Sequence, residues 1–163
     1  MTAVVRARAK VVSRSANKQR LRLWIRLLRT ARAIEAKLRE RLRVEFATTL
    51  PQFDVMAALA RKNTGMTMTE LSRFLMVSNG NVTGIIDRLV ADKLVLRTAP
   101  AEDRRSFIVR LTPKGAAHFA RIARAHESWV DKLLAEFGNA ETDAMIRHLD
   151  GLAGRIRNGG LRA

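Results

Sequence analysis

The sequence contains no cysteine. That excludes disulfides, thiolate metal sites and any peroxide sensor built on a cysteine. Histidine is scarce: His118, His126 and His148 show no metal-ligand spacing and read as helix-surface or interface residues. No apolar run approaches the length of a membrane span. There is no phosphate-cradling glycine loop and no Ser/His/Asp array beyond chance, so neither an enzyme nor a cofactor is expected. Acidic residues are also few, 15 against 31 Lys and Arg, which leaves a net charge of +16 at pH 7. The deficit is uneven: residues 1–50 hold 14 basic and 3 acidic groups, 51–110 hold 9 and 6, and 111–163 hold 8 and 6. A chain this basic meets a polyanion, by counterion release if that polyanion is nucleic acid. For any one helix alone, a solvated basic face is the competing reading.

What is present is concentrated in residues 67–112. Thr67 and Glu70 form a T-x-x-E capping box, in which each side chain satisfies an orphan N–H at a helix start. Leu71, Phe74 and Leu75 supply an apolar face at helical spacing. The run breaks at Val77-Ser78-Asn79-Gly80, where Ser78 suits the N-cap of a second helix. There Val82, Ile85, Ile86 and Leu89 share one buried face. Asn79, Asn81, Thr83, Gly84 and Arg88 lie off it, most of them in the first turns that a recognition helix offers to base edges in the major groove. A hairpin follows, with strands over 94–96 and 106–111 and a tip over 97–105 that contains Pro100. Arg104 and Arg105 at that tip suit phosphates or a narrow minor groove. Asp87 is expected to pair with one of them, Arg105 by preference.

This order, helix-turn-helix then wing, resembles the MarR family of transcription regulators. The carrying residues are Leu71-Ser72, Val82-Thr83, Asp87-Arg88-Leu89, the D-x-R of Asp103 and Arg105, and Leu111-Thr112. The resemblance covers about residues 17–157. Residues 21–61 are further similar to the family's repressors of hydroxycinnamate catabolism, which respond to coumaroyl- or feruloyl-CoA. The expected fold is mostly α with a small β wing, a winged helix-turn-helix plus long dimerisation helices.

The remaining chain is read around that module. Residues 1–16 carry basic residues and no acids; an organelle transit peptide has this composition, and a flexible basic tail is the preferred reading. A single domain is expected over 17–163, with the DNA-binding part at about 51–112. Long helices over about 17–48 and 113–158 carry apolar stripes larger than a winged helix can cover. Pro51 and Pro113 open helices, and Gly65 and Gly138 close them. Dimerisation is the economical partner for those stripes, and a symmetric dimer reads a pseudo-palindrome in double-stranded DNA.

The resemblance also implies a small aromatic effector held between the dimerisation helices and the winged helix, and a cytoplasmic location. Trp24, Leu28, Phe53, Met56 and Met76 are the expected walls, each with plain core as the competing reading. Arg26, Arg29 and Arg32, with Arg22, Arg39 and Arg43, are expected to hold a carboxylate or the phosphates of p-coumaroyl-CoA or a related aromatic acyl-CoA. The expected function is a ligand-released repressor of aromatic-acid catabolism. The alternative is a constitutive architectural DNA-binding protein with no effector.

Overall fold

Before Pro51 the chain has neither proline nor glycine, and Ala, Arg, Lys, Leu and Glu dominate it. Nothing there interrupts a helix. In the computed structural model, which describes residues 3–98 and 107–159 (backbone only for 3–15 and 79), the first helix α1 spans Ala3–Phe46. It therefore starts well before residue 18, and residues 3–16, expected as a flexible tail, are helical. Pairs at helical spacing support its second half: Arg39 to Glu35 at 2.8 Å, Lys37 to Glu40 at 2.8 Å and Arg41 to Glu45 at 3.2 Å. It ends at Ala47, in the left-handed region with φ +50°. The Thr48 N–H reaches back to the Leu42 carbonyl and the Ala47 N–H to that of Arg43, the bonding of a Schellman motif.

Helix α2 (Leu50–Arg61) starts on a capping box, Thr49 with Gln52, and has proline in its first turn. Strand β1 (Met66–Thr67) leads into α3 (Met68–Leu75), capped by Thr67 and Glu70 as the sequence predicts. Helix α4 (Asn79–Ala91) follows with Ser78 as N-cap. Strands β2 (Val95–Thr98) and β3 (Ile108–Leu111) form the ribbon, then come α5 (Pro113–Leu134) and α6 (Asn139–Arg157). Gly138 is the N-cap of α6, and the Glu141 carboxylate accepts from its N–H at 3.1 Å. The sheet has three strands, in the order β1-β3-β2, all antiparallel.

The chain divides into two compact units, residues 1–123 and 124–163. In the first, α2 packs against α1, α3, α4 and β3, and α4 against β2. Its fully buried side chains are Leu42, Val55, Met56, Leu71, Val82, Ile86, Leu89, Val109 and Ile122. Leu21 and Trp24, on the earlier part of α1, are each 58% exposed. In the second unit Trp129 is buried, whereas Met145, Ile146, Leu149, Leu152 and Ile156 form an exposed stripe at helical spacing on α6.

The α3 cap is electrostatic as well as geometric. The Glu70 carboxylate accepts from the Thr67 N–H at 2.8 Å and from Lys62 Nζ at 2.7 Å. The Lys62 bond first, then the Thr67 N–H, holds its pKa down at about 2, from an ordinary 4.5. A carboxyl depressed on folding stabilises the fold above its unfolded pKa and loses that contribution as pH falls through the folded value. Between pH 5 and pH 2 the parent chain should therefore lose more stability in denaturant titrations than Glu70→Gln, which keeps the capping shape without the titratable charge. Parallel losses in the two proteins would show that Glu70 is not the titrating support of α3.

Candidate functional site

Helix α3 ends at Met76 in the left-handed region, φ +54°, where the Val77 N–H bonds the Ser72 carbonyl at 3.1 Å. That turn redirects the chain within three residues, and the Ser78 side chain then accepts from the Asn81 N–H at 3.4 Å to start α4. Val82, Ile86 and Leu89 are buried in the core, so the opposite face of α4 is committed outward. It presents Asn81, Thr83, Gly84, Asp87 and Arg88, all exposed; Ser78 is exposed at the same end. Asn79 opens the helix, and its backbone alone is described. Arg88 lies 3.8 Å from Asp92 across one turn.

Gly80 and Gly84 add a second observation. A Cβ at either position would meet nothing within 4 Å. Packing inside the chain thus does not require glycine, yet each glycine costs a helix about 1 kcal/mol relative to alanine. The pair leaves bare backbone on the outward face, as close approach by something outside the chain requires. The first turn of α4 carries no acid, so its partial positive charge faces outward uncompensated.

The ribbon is anchored at its base. Thr112 donates its hydroxyl hydrogen to the Lys93 carbonyl at 2.8 Å and its N–H to the Leu94 carbonyl at 3.0 Å. Its hydroxyl oxygen accepts from the Gly115 N–H at 2.9 Å. A side chain at Gly115 would run into the Leu94 carbonyl, so glycine is needed there for the strand to meet α5. The pairing of Val95 with Leu111 through Thr98 with Ile108 then fixes the ribbon's register. That tip, with Arg104 and Arg105, lies outside the described residues. Asp87 pairs with Arg97 of β2, whose Nη2 lies 2.6 Å from its Oδ1; the pairing expected with Arg105 falls outside the described residues. The pair ties the ribbon to α4.

The expected effector residues are not brought together. Met56 is fully buried in the core, and Phe53 is buried with its ring 5.6 Å from that of Phe119. Leu28 is half-buried, and Arg26, Arg29 and Arg32 are exposed along α1. Met76 is 92% exposed at the helix-turn-helix corner, and Trp24 also faces outward. A cleft of about 730 Å³ opens between α1, α2 and α4, walled by Arg39, Glu40, Arg43, Pro51, Val77, Asn81 and Ile85. An adjoining lobe of about 270 Å³ shares Arg39, Pro51, Val77 and Ile85 and adds Glu35, Asp54 and Leu75. Burial raises the Asp54 pKa, the Glu35 charge raises it further, and Arg39 opposes both. Of the arginines proposed from sequence to hold an anion, Arg39 and Arg43 are the two at this cleft. Val77 and Ile85 give no sequence signal for it, because a wall and a core position share the same apolar spacing.

Two of the three histidines have neighbours in the structure. His118 Nε2 lies 3.5 Å from the buried Thr48 hydroxyl, and its pKa is lowered by burial and by Arg121 and Lys114. The His126 ring lies 6.5 Å from Trp129, and burial lowers its pKa. Among the described residues no group of His, Asp and Glu is placed to hold a metal ion.

The Asp87–Arg97 pair is open to direct measurement. Both side chains are partly solvated, so a double-mutant cycle of Asp87→Ala and Arg97→Ala in urea unfolding should give a coupling of about 0.2–1 kcal/mol. Zero coupling would mean that the pair does not tie the ribbon to α4.

The comparisons with known proteins agree with this geometry. The MarR family model matches residues 48–106, the span from the buried Thr48 to the ribbon tip. The transcriptional activatory protein BadR of Rhodopseudomonas palustris is 36% identical over 131 residues, 78% of this chain and 74% of its own. The HTH-type transcriptional repressor YetL of Bacillus subtilis is 26% identical over 102 residues, 63% of this chain; the match spans only 61% of YetL. The crystal structure of a MarR family transcriptional regulator from Silicibacter pomeroyi superposes with a TM-score of 0.74 at 30% identity, covering 86% of this chain and 97% of that one. The capped helix pair, the outward face of α4, the antiparallel ribbon and these likenesses lead to one conclusion: the chain belongs to the MarR family of winged helix-turn-helix transcriptional regulators.

Proposed function

We propose that the chain is a ligand-released repressor of the MarR type that binds double-stranded operator DNA as a homodimer. One observation carries the ligand half of this reading: Asn81 and Ile85 of α4 are walls of the α1/α2/α4 cleft. A molecule in that cleft touches the helix that faces DNA, with no intervening relay. The DNA half rests on the outward face of α4. Asn81 and Thr83, with Asn79, reach base edges; Gly84 admits close approach; and Ser78, Arg88, Arg104 and Arg105 serve phosphates or the minor groove. The exposed apolar stripe of α6 and the exposed Leu21 and Trp24 of α1 are surfaces for a second copy. A two-fold dimer places its recognition helices in half-sites roughly one turn of DNA apart, about 34 Å.

The effector in this reading is an aromatic acid or its CoA thioester, p-coumaroyl-CoA above all, and the genes controlled are those of hydroxycinnamate catabolism in the cytoplasm. Three features support it. Residues 21–61 resemble the hydroxycinnamate-responsive repressors. The cleft combines apolar walls with the cations Arg39 and Arg43. Arg22, Arg29 and Arg32 also lie on the same face of α1 as Arg39 and Arg43, at intervals of seven, three, seven and four residues. Arg29 is about 15 Å along the axis from Arg39. An acyl group in the cleft can thus extend its phosphates along a track of arginines. Trp24, Leu28, Phe53, Met56 and Met76 have no part in this version of the site.

The charge favours one competing reading. Ten basic and no acidic residues precede Glu35, which suits an architectural protein that binds DNA irrespective of sequence. A titration of the chain's own upstream DNA separates the two. The ligand must favour the DNA-free form, because equal affinity for both forms shifts nothing. Fluorescence anisotropy should show p-coumaroyl-CoA raising the operator Kd at least tenfold, with CoA alone inert and transcription restored in parallel. A free acid as potent as its thioester removes the arginine track from the account. Sequence-blind binding with no response to any of the three favours the architectural protein.

A further inference from the structure

A separate pocket, of about 500 Å³, opens at the far end of α4. Among the described residues it shares no wall with the α1/α2/α4 cleft. It lies where the α1–α2 junction meets the last turn of α4 and the first turns of α5. Along the helix, that end of α4 is about 18 Å from its first turn. Thr48 in the wall is buried, Gln52 and His118 are half-buried, and Lys93 and Lys114 are exposed at the mouth.

The polar side chains here are mostly donors without acceptors. The Gln52 carbonyl oxygen is occupied by the Thr49 N–H at 2.9 Å and the Thr49 hydroxyl at 3.1 Å, so its amide hydrogens have no partner among the described residues. Lys114 Nζ gives one hydrogen to the Asp92 carbonyl at 3.0 Å and keeps two. The Lys93 ammonium makes no hydrogen bond or ion pair among the described residues. His118 Nε2 is 3.5 Å from Thr48 Oγ1, longer than a good hydrogen bond, while the Thr48 hydroxyl donates to the Phe46 carbonyl at 3.1 Å. The acid among the described walls is Asp92, whose carboxylate lies 3.8 Å from Arg88. Lys93 also stands where glycine would serve the fold better. It closes α4 at φ +60°, with its N–H on the Val90 carbonyl at 2.9 Å, and glycine is the usual residue at such a left-handed cap. Ala47, also in the wall, is a second non-glycine residue at positive φ.

We propose that this pocket is an anion site for the phosphate head of a small phosphorylated molecule, held by Lys93 and Lys114 at the mouth and by the Gln52 amide and His118 within. The donors come from α2, the end of α4 and α5. That spread suits a tetrahedral head with acceptors on every side better than a planar carboxylate. The pocket stands apart from the proposed aromatic-effector cleft and does not depend on it. His118 is faced by Lys114 and Arg121 of α5 and by Asp92 after α4, and none of the wall residues from the α1–α2 junction titrates. A bound anion favours the imidazolium, so affinity should rise as pH falls through the histidine range.

The test is NMR of the histidine ring signals of the full chain, titrated with inorganic phosphate and with sulfate at an ionic strength held constant with chloride. Sulfate keeps its charge across the histidine range, so its pH dependence reports the protein alone. The signal lost in His118→Gln should shift saturably with either anion, and sulfate should bind more tightly at lower pH. Lys93→Gly and Lys114→Ala should each weaken binding about tenfold, as loss of one charged hydrogen bond implies. Lys132→Ala, which removes an exposed charge elsewhere on α5, should leave it within about twofold. In chloride alone Lys93→Gly should melt no lower than the parent and bind the upstream duplex as tightly. A non-saturating shift, an equal loss in Lys132→Ala, or undiminished affinity in Lys93→Gly overturns the site. A Lys93→Gly protein that loses duplex affinity in chloride puts this lysine on a DNA phosphate and overturns the small-molecule assignment.

Discussion

The structure depends on the burial of one face of α4. Val82, Ile86 and Leu89 are committed to a core against α2, α3 and β2, and a helix has only one opposite face to offer. The orientation of Asn81, Thr83 and Gly84 is therefore set by hydrophobic burial rather than by anything they bond. Each of the buried side chains contributes on the order of 1.5–3 kcal/mol. The outward face thus needs no stabilising contacts of its own and is free to hold two bare glycines, which would be a poor choice on a helix that had only itself to support.

The same constraint couples the two halves of the proposed function. Residues Val82 and Ile86 face the core, and Asn81 and Ile85 precede each by one position, so they emerge at the border between core and surface. That border is where the α1/α2 junction leaves a cleft, bounded by Arg39, Arg43 and Pro51. The junction is itself fixed by two local devices, the left-handed Ala47 and the Thr49–Gln52 capping box. A ligand there changes the free energy of α4 only as far as it prefers one placement of that helix over another. Under the proposed function the cleft regulates because of which helix forms its wall, not because of its size.

What the sequence reveals follows the range of the interactions. The capping box of Thr67 and Glu70 and the Ser78 cap are written in residues three apart, the antiparallel ribbon in two alternating runs close in sequence, and the structure reproduces them. Strand β1 has only two residues and exists because Met66 and Thr67 pair with Val109 and Ile108, some forty positions away; no local pattern announces it. The ion pair of Asp87 with Arg97 depends on the ribbon's register, invisible in the sequence, which brings β2 alongside α4. The cleft was the least legible feature. Phe53 and Met56 have the helical spacing of a wall or a core, and three-dimensional packing makes them core. Met76 reads as apolar lining, but the left-handed turn that it occupies points it outward.

The central claim is that the face of α4 left bare by Gly84 is the surface that approaches DNA. The most direct measurement sets Gly84→Ala against the parent in two assays, thermal unfolding and anisotropy titration of a duplex from the chain's own upstream DNA. Alanine fits the open space at that position and improves the helix by about 1 kcal/mol, so the melting temperature should rise. The added methyl should at the same time weaken binding to the duplex at least tenfold, because it stands where the nucleic acid must come close. A variant that is more stable and binds the duplex as tightly as the parent would contradict the account.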